Sequence, residues 1–479
     1  MILSFTGCSY LILKTYNKWQ FNPVIVTFAE KSTPVWKIPF PAITICPETK
    51  SMKEVFKVDN LLHEDYVELS TNKYTYLNTL YQVCKHYPFP LFQENKELFA
   101  NCSEVFNELT IRFNDVFGFC IWRGFQSYCE NLFHKILTDE GVCWTFNMLD
   151  HVELFNEQLD QSLKYPKHGH KSANWTLQRG YTSYDAEIYP HRVLGSGITA
   201  GLNLELRVKS SDIDYACKGP VQGFKIALHT SGEMPRMNHV FFQIPLKQQV
   251  LIAVKPEVIT TSPGLNAYSP KKRQCYFNGE KNLKFFKVYT QSNCELECLT
   301  EFTLNQCGCV KFSQPHNSST KVCNLDMVEC YRNAEKNFMK QKLEEKLHEE
   351  SNRNDKTNIR AYSSPPNNSS SSFNYTLDTT NFSDYFMNNT SEYDDYDLPL
   401  LNESSYQLEN DYESPPIPFI DVDDGLEDEC ECLPACTSIE YNAEISQSQY
   451  EYSEFYKIMK NTNYNSEYVS QRSELLIPL

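Results

Sequence analysis

Residues 294–309 read Cys294-Glu295-Leu296-Glu297-Cys298-Leu299-Thr300-Glu301-Phe302-Thr303-Leu304-Asn305-Gln306-Cys307-Gly308-Cys309. Cys294 and Cys298 are four apart, so on a helix they share one face, about 6 Å apart along the axis. Cys307 and Cys309 are two apart, and so, downstream, are Cys430 and Cys432 in Cys430-Glu431-Cys432-Leu433-Pro434-Ala435-Cys436. In an extended segment these also share a face, about 6.6 Å apart. The spacings match, and a disulfide needs Cα atoms about 5.5–6 Å apart. A helix carrying Cys294 and Cys298 can therefore be bolted to an extended CxC segment by two parallel disulfides. Such a ladder implies an oxidising compartment.

Ten of the chain's 18 cysteines lie between Cys275 and Cys436, and clustered cysteines also make zinc sites. No histidine completes a zinc-finger spacing within the cluster. The chain also carries N-glycosylation sequons at Asn101, Asn174, Asn317, Asn367, Asn368, Asn374, Asn381, Asn388, Asn389 and Asn402, which have meaning only outside the cytosol. Disulfides are the better reading, and no metal site is expected.

A chain of 479 residues holds two or three domain-sized units and buries a substantial core. The disulfides therefore do not compensate for small size; they suit a device that keeps its shape under load or across a gating motion. A net charge of −17 argues against nucleic acid as a partner. Much of it is local, in Glu392–Asp397 and Asp421–Glu429, which read as solvated flexible runs. No full transmembrane helix is present, because a span needs about 20 mostly apolar residues. Met1–Leu13 carries no charged side chain but is short, and Lys14 ends it. It reads equally as a signal-peptide core or as the outer part of a span, and Tyr16, Lys18 and Trp19 suit a membrane interface.

Pro34–Pro47 is an extended apolar segment whose prolines forbid a helix and suit an edge strand. Glu54–Asn131 mixes amphipathic helical patches with loops. Gly141–Asn147 reads as a short strand leaving a turn. Between 200 and 262 apolar residues alternate with period two, at Leu202, Leu204 and Leu206, at Phe224, Ile226 and Leu228, and at Val250, Ile252 and Val254. That is the signature of strands in an antiparallel sheet. Helices are expected over Tyr289–Asn305 and Asp326–Glu350, the second with Met339, Leu343 and Leu347 on one face. Residues 352–428 lack periodicity, are rich in Ser, Asn, Asp, Tyr and Pro, and read as a disordered glycosylated insertion. The ladder closes around it at little extra entropic cost.

Enzyme motifs are missing. Gly195-Ser196-Gly197 with Gly201 is off by one from a dinucleotide fingerprint and reads as a loop. There is no GxSxG and no HExxH. His168-Gly169-His170 could hold a metal weakly, but in a lysine-flanked loop it reads as exposed polar residues. No enzymatic activity and no cofactor are expected.

The segments Phe40-Pro41-Ala42-Ile43-Thr44-Ile45-Cys46, Gly141-Val142-Cys143-Trp144-Thr145-Phe146-Asn147, Val254–Cys275, Cys294–Pro315 and Cys430–Cys436 resemble, in order, five signatures of the degenerin/epithelial sodium channel family, closest to its insect pickpocket branch. The resemblance implies an α+β, disulfide-rich extracellular domain with an antiparallel β palm, a helical finger over roughly 54–135 and a helical thumb. It assigns residues 1–13 to the outer part of a first transmembrane helix, 14–34 to a wrist, 35–290 to palm, finger and β-ball, 291–440 to the thumb with its insertion at 352–428, and 441–479 to a return strand. It implies the disulfides Cys46–Cys143, Cys120–Cys129, Cys275–Cys436, Cys294–Cys432, Cys298–Cys430, Cys307–Cys330 and Cys309–Cys323. Cys84, Cys102 and Cys217 have no family counterpart, and a Cys84–Cys102 bridge is a guess; Cys8 would lie in lipid as a free thiol.

The function implied is a subunit of an amiloride-sensitive, ligand- or mechano-gated sodium channel in the plasma membrane, with the bulk of the chain extracellular. Its partners would be the lipid bilayer, related subunits in a homo- or heterotrimer, and sodium ions. Tyr16, Trp19 and Tyr268 would sit at the wrist. The family's cytoplasmic start and its pore-lining second transmembrane helix have no counterpart in 1–479, and an incomplete chain is expected. The alternative is a non-conducting, secreted or membrane-tethered cysteine-rich binding protein. Glu344, Glu345, Glu349 and Glu350 could sense protons but read as a solvated helix face.

Overall fold

The structure is a computed structural model that describes residues 2–21, 27, 32–59, 70–84, 102–172, 175–183, 185, 187–358, 430–451 and 470–477. The chain divides into two units, 1–341 with 425–479, and 342–424. The first is a disulfide-rich α+β domain built on two sheets and several helices. The second is described only as far as Asn358, where the helix that began at Val328 ends.

Eleven strands are described: β1 Ala42–Pro47, β2 Phe117–Trp122, β3 Phe125–Ser127, β4 Phe133–Thr138, β5 Gly141–Phe146, β6 Leu202–Lys209, β7 Gly223–His229, β8 Phe242–Pro245, β9 Gln248–Ile259, β10 Ser438–Gln449 and β11 Ser470–Ile477. The five-stranded sheet runs β4-β5-β1-β7-β8, antiparallel throughout. The six-stranded sheet runs β10-β9-β11-β6-β2-β3 and is antiparallel except where β11 lies parallel to β9.

β1 corrects the edge-strand expectation. It is the central strand of the five, paired with β5 through Ile43↔Phe146 and with β7 through Ile45↔Ile226. The prolines explain why this is possible. Pro39 and Pro41 precede the strand and Pro47 ends it, so Ala42–Cys46 keep every N–H for the ladders on both sides. All six residues are buried, because both faces of this sheet are covered. Ile43 and Ile45 join one core with Leu202, Leu206, Phe224 and Val250, between the two sheets. Ala42 and Cys46 join a second with Ile136, Leu299 and Phe338, under the helices. A strand covered on both faces reads as a continuous apolar run instead of an alternating one.

The alternation over 200–262 does mark strands, but it does not mark one sheet. β6 and β9 belong to the six-stranded sheet and β7 to the five-stranded one. Period two reports which face of a strand is apolar, not which sheet it joins. β6 and β9 are themselves held apart by β11, from more than 200 residues downstream of β9.

Within 54–135 the described helices are Thr71–Tyr81 and Cys102–Leu109, with a single turn at Phe113–Val116 before β2 and β3 and another at Cys129–Leu132 after them. The N-terminal helix runs Ile2–Phe21, past Lys14. No helix among the described residues is long and apolar enough to cross a membrane. The second cysteine-region helix, Val328–Asn358, is longer than the Asp326–Glu350 expected and continues into 352–428; the rest of that segment lies outside the described residues. Its buried face is Val328, Tyr331, Ala334 and Phe338, whereas Met339, Leu343 and Leu347 are exposed. A stripe at helical spacing shows that a face exists, not that a partner covers it.

Candidate functional site: the disulfide-bolted helix and its seat

The helix Gln291–Cys307 lies two residues later than the expected Tyr289–Asn305. Thr290 caps it, its hydroxyl accepting the Asn293 N–H at 3.1 Å, and Gly308 ends it with φ +66°. That left-handed residue is one glycine adopts at no steric cost. Both boundaries follow from local chemistry between the cysteines.

Cys294 is joined to Cys432 and Cys298 to Cys430, with Cα separations of 5.7 and 5.5 Å. One turn of helix faces two alternate residues of an extended segment. That segment is not itself a strand. Of 430–436 only Ala435 makes a bridge, to Tyr276, and the returning strand β10 starts at Ser438. The Tyr276 N–H donates to Pro434 O and the Cys436 N–H to Tyr276 O, at 3.0 and 2.9 Å, beside the Cys275–Cys436 disulfide. The Tyr289 hydroxyl donates to Leu433 O at 2.5 Å. At its other end the helix is tied on by Cys307–Cys330, and the following turn by Cys309–Cys323. The sulfurs of Cys294, Cys298 and Cys432 lie within 4.8 Å of one another. All three are in disulfides, so they offer no thiolate to a metal.

The seat of the helix is Asn293, fully buried. Its Oδ1 accepts the Met234 N–H at 3.0 Å, and its Nδ2 donates to Gly232 O at 2.9 Å and Val288 O at 3.2 Å. One side chain therefore satisfies three backbone groups of the 232–234 loop and the helix approach. A Cβ on Gly232 would come within 2.9 Å of Val288 Cγ1, so residue 232 sits this close to the segment before the helix because it has none. Arg236 adds an ion pair to Glu295 at 2.9 Å. Glu297 accepts the Lys284 and Phe285 N–H groups at 2.9 and 2.6 Å, while burial pushes its carboxyl above the ordinary range. Sequence reading missed Asn293 as a tether, since an asparagine three residues into a helix looks like a solvated first turn.

Cys46–Cys143 joins β1 to β5, and Cys120–Cys129 closes the β2–β3 hairpin. Cys84 is bonded to Cys217, not to Cys102. The Cα separation is 4.6 Å, across 133 residues, and no local spacing signals such a pair. Cys102 keeps a thiol, which accepts from Gln82 Nε2 at 3.5 Å and is raised in pKa by burial. Cys8 is also a thiol and is exposed.

The Tyr268 carbonyl accepts from Arg273, and Lys272 stands 5.6 Å over its ring. Tyr16 is exposed on the N-terminal helix; the Trp19 side chain lies outside the described residues. Asn317 sits in a turn, its Oδ1 accepting from the hydroxyls of Ser319 and Thr320 at 2.8 and 2.7 Å. The other sequon asparagines, Asn101, Asn174, Asn367, Asn368, Asn374, Asn381, Asn388, Asn389 and Asn402, lie outside the described residues. Glu344 and Glu345 are on an exposed helix face, with Glu345 3.5 Å from Lys342; the Glu349 and Glu350 side chains are outside the described residues. His168 corrects the expectation of an exposed loop residue, because its side chain is 1% exposed.

The family described as "Amiloride-sensitive sodium channel" matches residues 1–477. The chain belongs to the amiloride-sensitive sodium channel family. Pickpocket protein 28 of Drosophila melanogaster is 26% identical over 332 residues, covering 67% of this chain and 52% of that protein. Sodium channel protein Nach of Drosophila ananassae is 24% identical over 329 residues, covering 67% and 58%. Pickpocket protein 11 of Drosophila melanogaster is 24% identical over 332 residues, covering 69% and 48%. The chain thus spans about half the length of the curated relatives it matches. Membership in this non-catalytic family supports the absence of an enzymatic activity and a role among channel subunits.

Proposed function

We propose that this chain forms the extracellular region of a subunit of an amiloride-sensitive sodium channel. The subunit assembles with two related or identical subunits in the plasma membrane and opens in response to a ligand or to force. The observation that carries this reading is the family match over almost the whole chain. In this reading the bolted helix is the thumb, the two sheets form palm and β-ball, and the helices at 71–81 and 102–109 belong to the finger. Tyr16, Trp19 and Tyr268 line the wrist, and the sequon asparagines, Asn317 among them, carry glycans facing the extracellular fluid.

The ladder supports a mechanical role. Two disulfides near one end of the helix and one at the other leave little freedom for local bending, so a push on the helix is passed to its seat at Asn293. The test is voltage clamp of oocytes expressing the complete gene product, alone and with pickpocket-type subunits. The expected result is an inward sodium current blocked by amiloride. A product that reaches the surface yet carries no such current under acid, stretch or peptide application, in any combination, overturns the proposal in favour of a non-conducting binding protein.

A further inference from the structure

Three histidines from two separate parts of the chain converge on one spot. His134 lies on β4, an edge strand of the five-stranded sheet. His168 and His170 come from the loop after Pro166. A ring nitrogen from each lies within 4.8 Å of those of the other two, with ring centroids 4.7 Å apart for His134–His168 and 5.1 Å for His168–His170. From this geometry we propose a binding site for a divalent transition-metal ion of the zinc, copper or nickel class, held by the imidazoles of His134, His168 and His170.

The loop is built to present these rings. Gly169 takes φ +72°, open to glycine without strain. The Asp150 carboxylate accepts the backbone N–H groups of His168 and Gly169 at 2.9 and 2.8 Å, and that of Val152 at 3.0 Å. The loop is therefore fixed before any ion arrives. Asp150 Oδ2 also lies 3.8 Å from His168 Nδ1, a negative charge beside the histidine cluster. His168 Nε2 is 3.0 Å from Met148 O. A carbonyl only accepts, so Nε2 carries the proton and Nδ1 holds the lone pair. A histidine anchored through its other nitrogen on a backbone carbonyl is the usual support for a metal ligand. That lone pair here receives the His170 N–H at 3.0 Å, a hydrogen bond that a coordinate bond would replace. The Tyr189 ring packs on His168 at 5.0 Å and lies 5.7 Å from the His170 ring.

The donor set selects the metal class. Three neutral imidazoles suit zinc, copper and nickel and suit calcium and magnesium poorly, since the latter demand oxygen ligands. Tetrahedral zinc sets ligand nitrogens about 3.4 Å apart. His170 is exposed and can swing inward to reach that spacing.

The test is equilibrium dialysis of the full chain, stripped with EDTA, against zinc, copper and nickel ions in turn, with bound metal counted by mass spectrometry. Parallel samples carry His170→Ala, His134→Gln, or Cys102→Ser as a control for thiol binding. The expected result is one ion per chain for wild type and for the Cys102 variant, with affinity falling about tenfold or more in each histidine variant. His170→Ala changes an exposed side chain, so its thermal midpoint without metal should match wild type. No stoichiometric uptake of any of the three ions by wild type, or histidine variants that bind as wild type does, overturns the proposal.

Discussion

At the scale of single residues, the buried polar side chains show how this domain handles charge. His229 Nδ1 donates to Thr230 O at 3.0 Å, and its Nε2 is 2.9 Å from the Thr44 hydroxyl. Burial holds it neutral, pushed down to about 4, against about 6.5 in an unfolded chain. As pH falls through 6.5 the unfolded chain gains a proton that the folded one refuses, so stability contributed by this residue is complete above pH 6.5 and is lost toward pH 4. The loss is about 3 kcal/mol. His134 and His191, also held at about 4 by burial, act in the same direction. Thermal midpoints of wild type and His229→Gln between pH 7 and 4 separate the contributions. Wild type should lose more stability on acidification than the variant, and parallel curves would show that His229 titrates normally. Nothing in the sequence around Leu228-His229-Thr230 distinguishes this histidine from a surface one. Its burial comes from β1, whose partner residue lies 185 positions earlier.

At the scale of elements, the bolted helix was legible because its constraints are local. Four-residue spacing, an N-cap threonine and a glycine stop lie within a single stretch, whereas CxC spacing occurs at both 307/309 and 430/432 and the family resemblance selects the second. Cys84–Cys217 was not legible, because its two ends lie 133 residues apart and meet only in the core that gathers Leu77 and Leu80 with Ala216. Non-reducing peptide mapping should recover Cys84 linked to Cys217, and Cys294 and Cys298 linked to the 430–436 peptide. It should also find Cys102 alkylated only after denaturation. A Cys84–Cys102 peptide would reverse the assignment. Replacing Cys298 and Cys430 together by alanine opens a loop of 132 residues and should cost about 2–5 kcal/mol, measured by denaturant unfolding. The Met339–Leu347 stripe carries the opposite lesson. Its period is as clear as that of Val328–Phe338, yet only the latter meets the core.

At the scale of the whole molecule, the domain rests on pairings between distant segments. β1 joins β5 about a hundred residues away, β10 returns to β9 across the 352–428 segment, and β11 inserts between β9 and β6. Its Leu475 is fully buried between the sheets, and the Ser473 hydroxyl reaches across to Pro245 O of β8 at 2.8 Å. Leu475→Asp would place an unpaired charge in that core and should cost more than about 4 kcal/mol, seen as lost surface expression or a collapsed melting transition. Ser448→Asp, on the exposed end of β10, should leave both near wild type. Equal tolerance of the two would mean that β11 is not an interior strand.

Taken alone, the sequence determined whatever depends on neighbours in the chain: the helix that carries Cys294 and Cys298, the strand faces, the oxidising environment and, through motifs in order, the family. Periodicity and spacing express backbone geometry over a few residues, so these are readable without a fold. Only the tertiary structure decided that β1 is central, that β6 and β7 part into different sheets, that Cys84 meets Cys217, and that His134 joins His168 and His170. Each of these depends on which buried faces complement one another across a hundred residues or more, or between strand and loop, and that choice is made by packing the whole core at once.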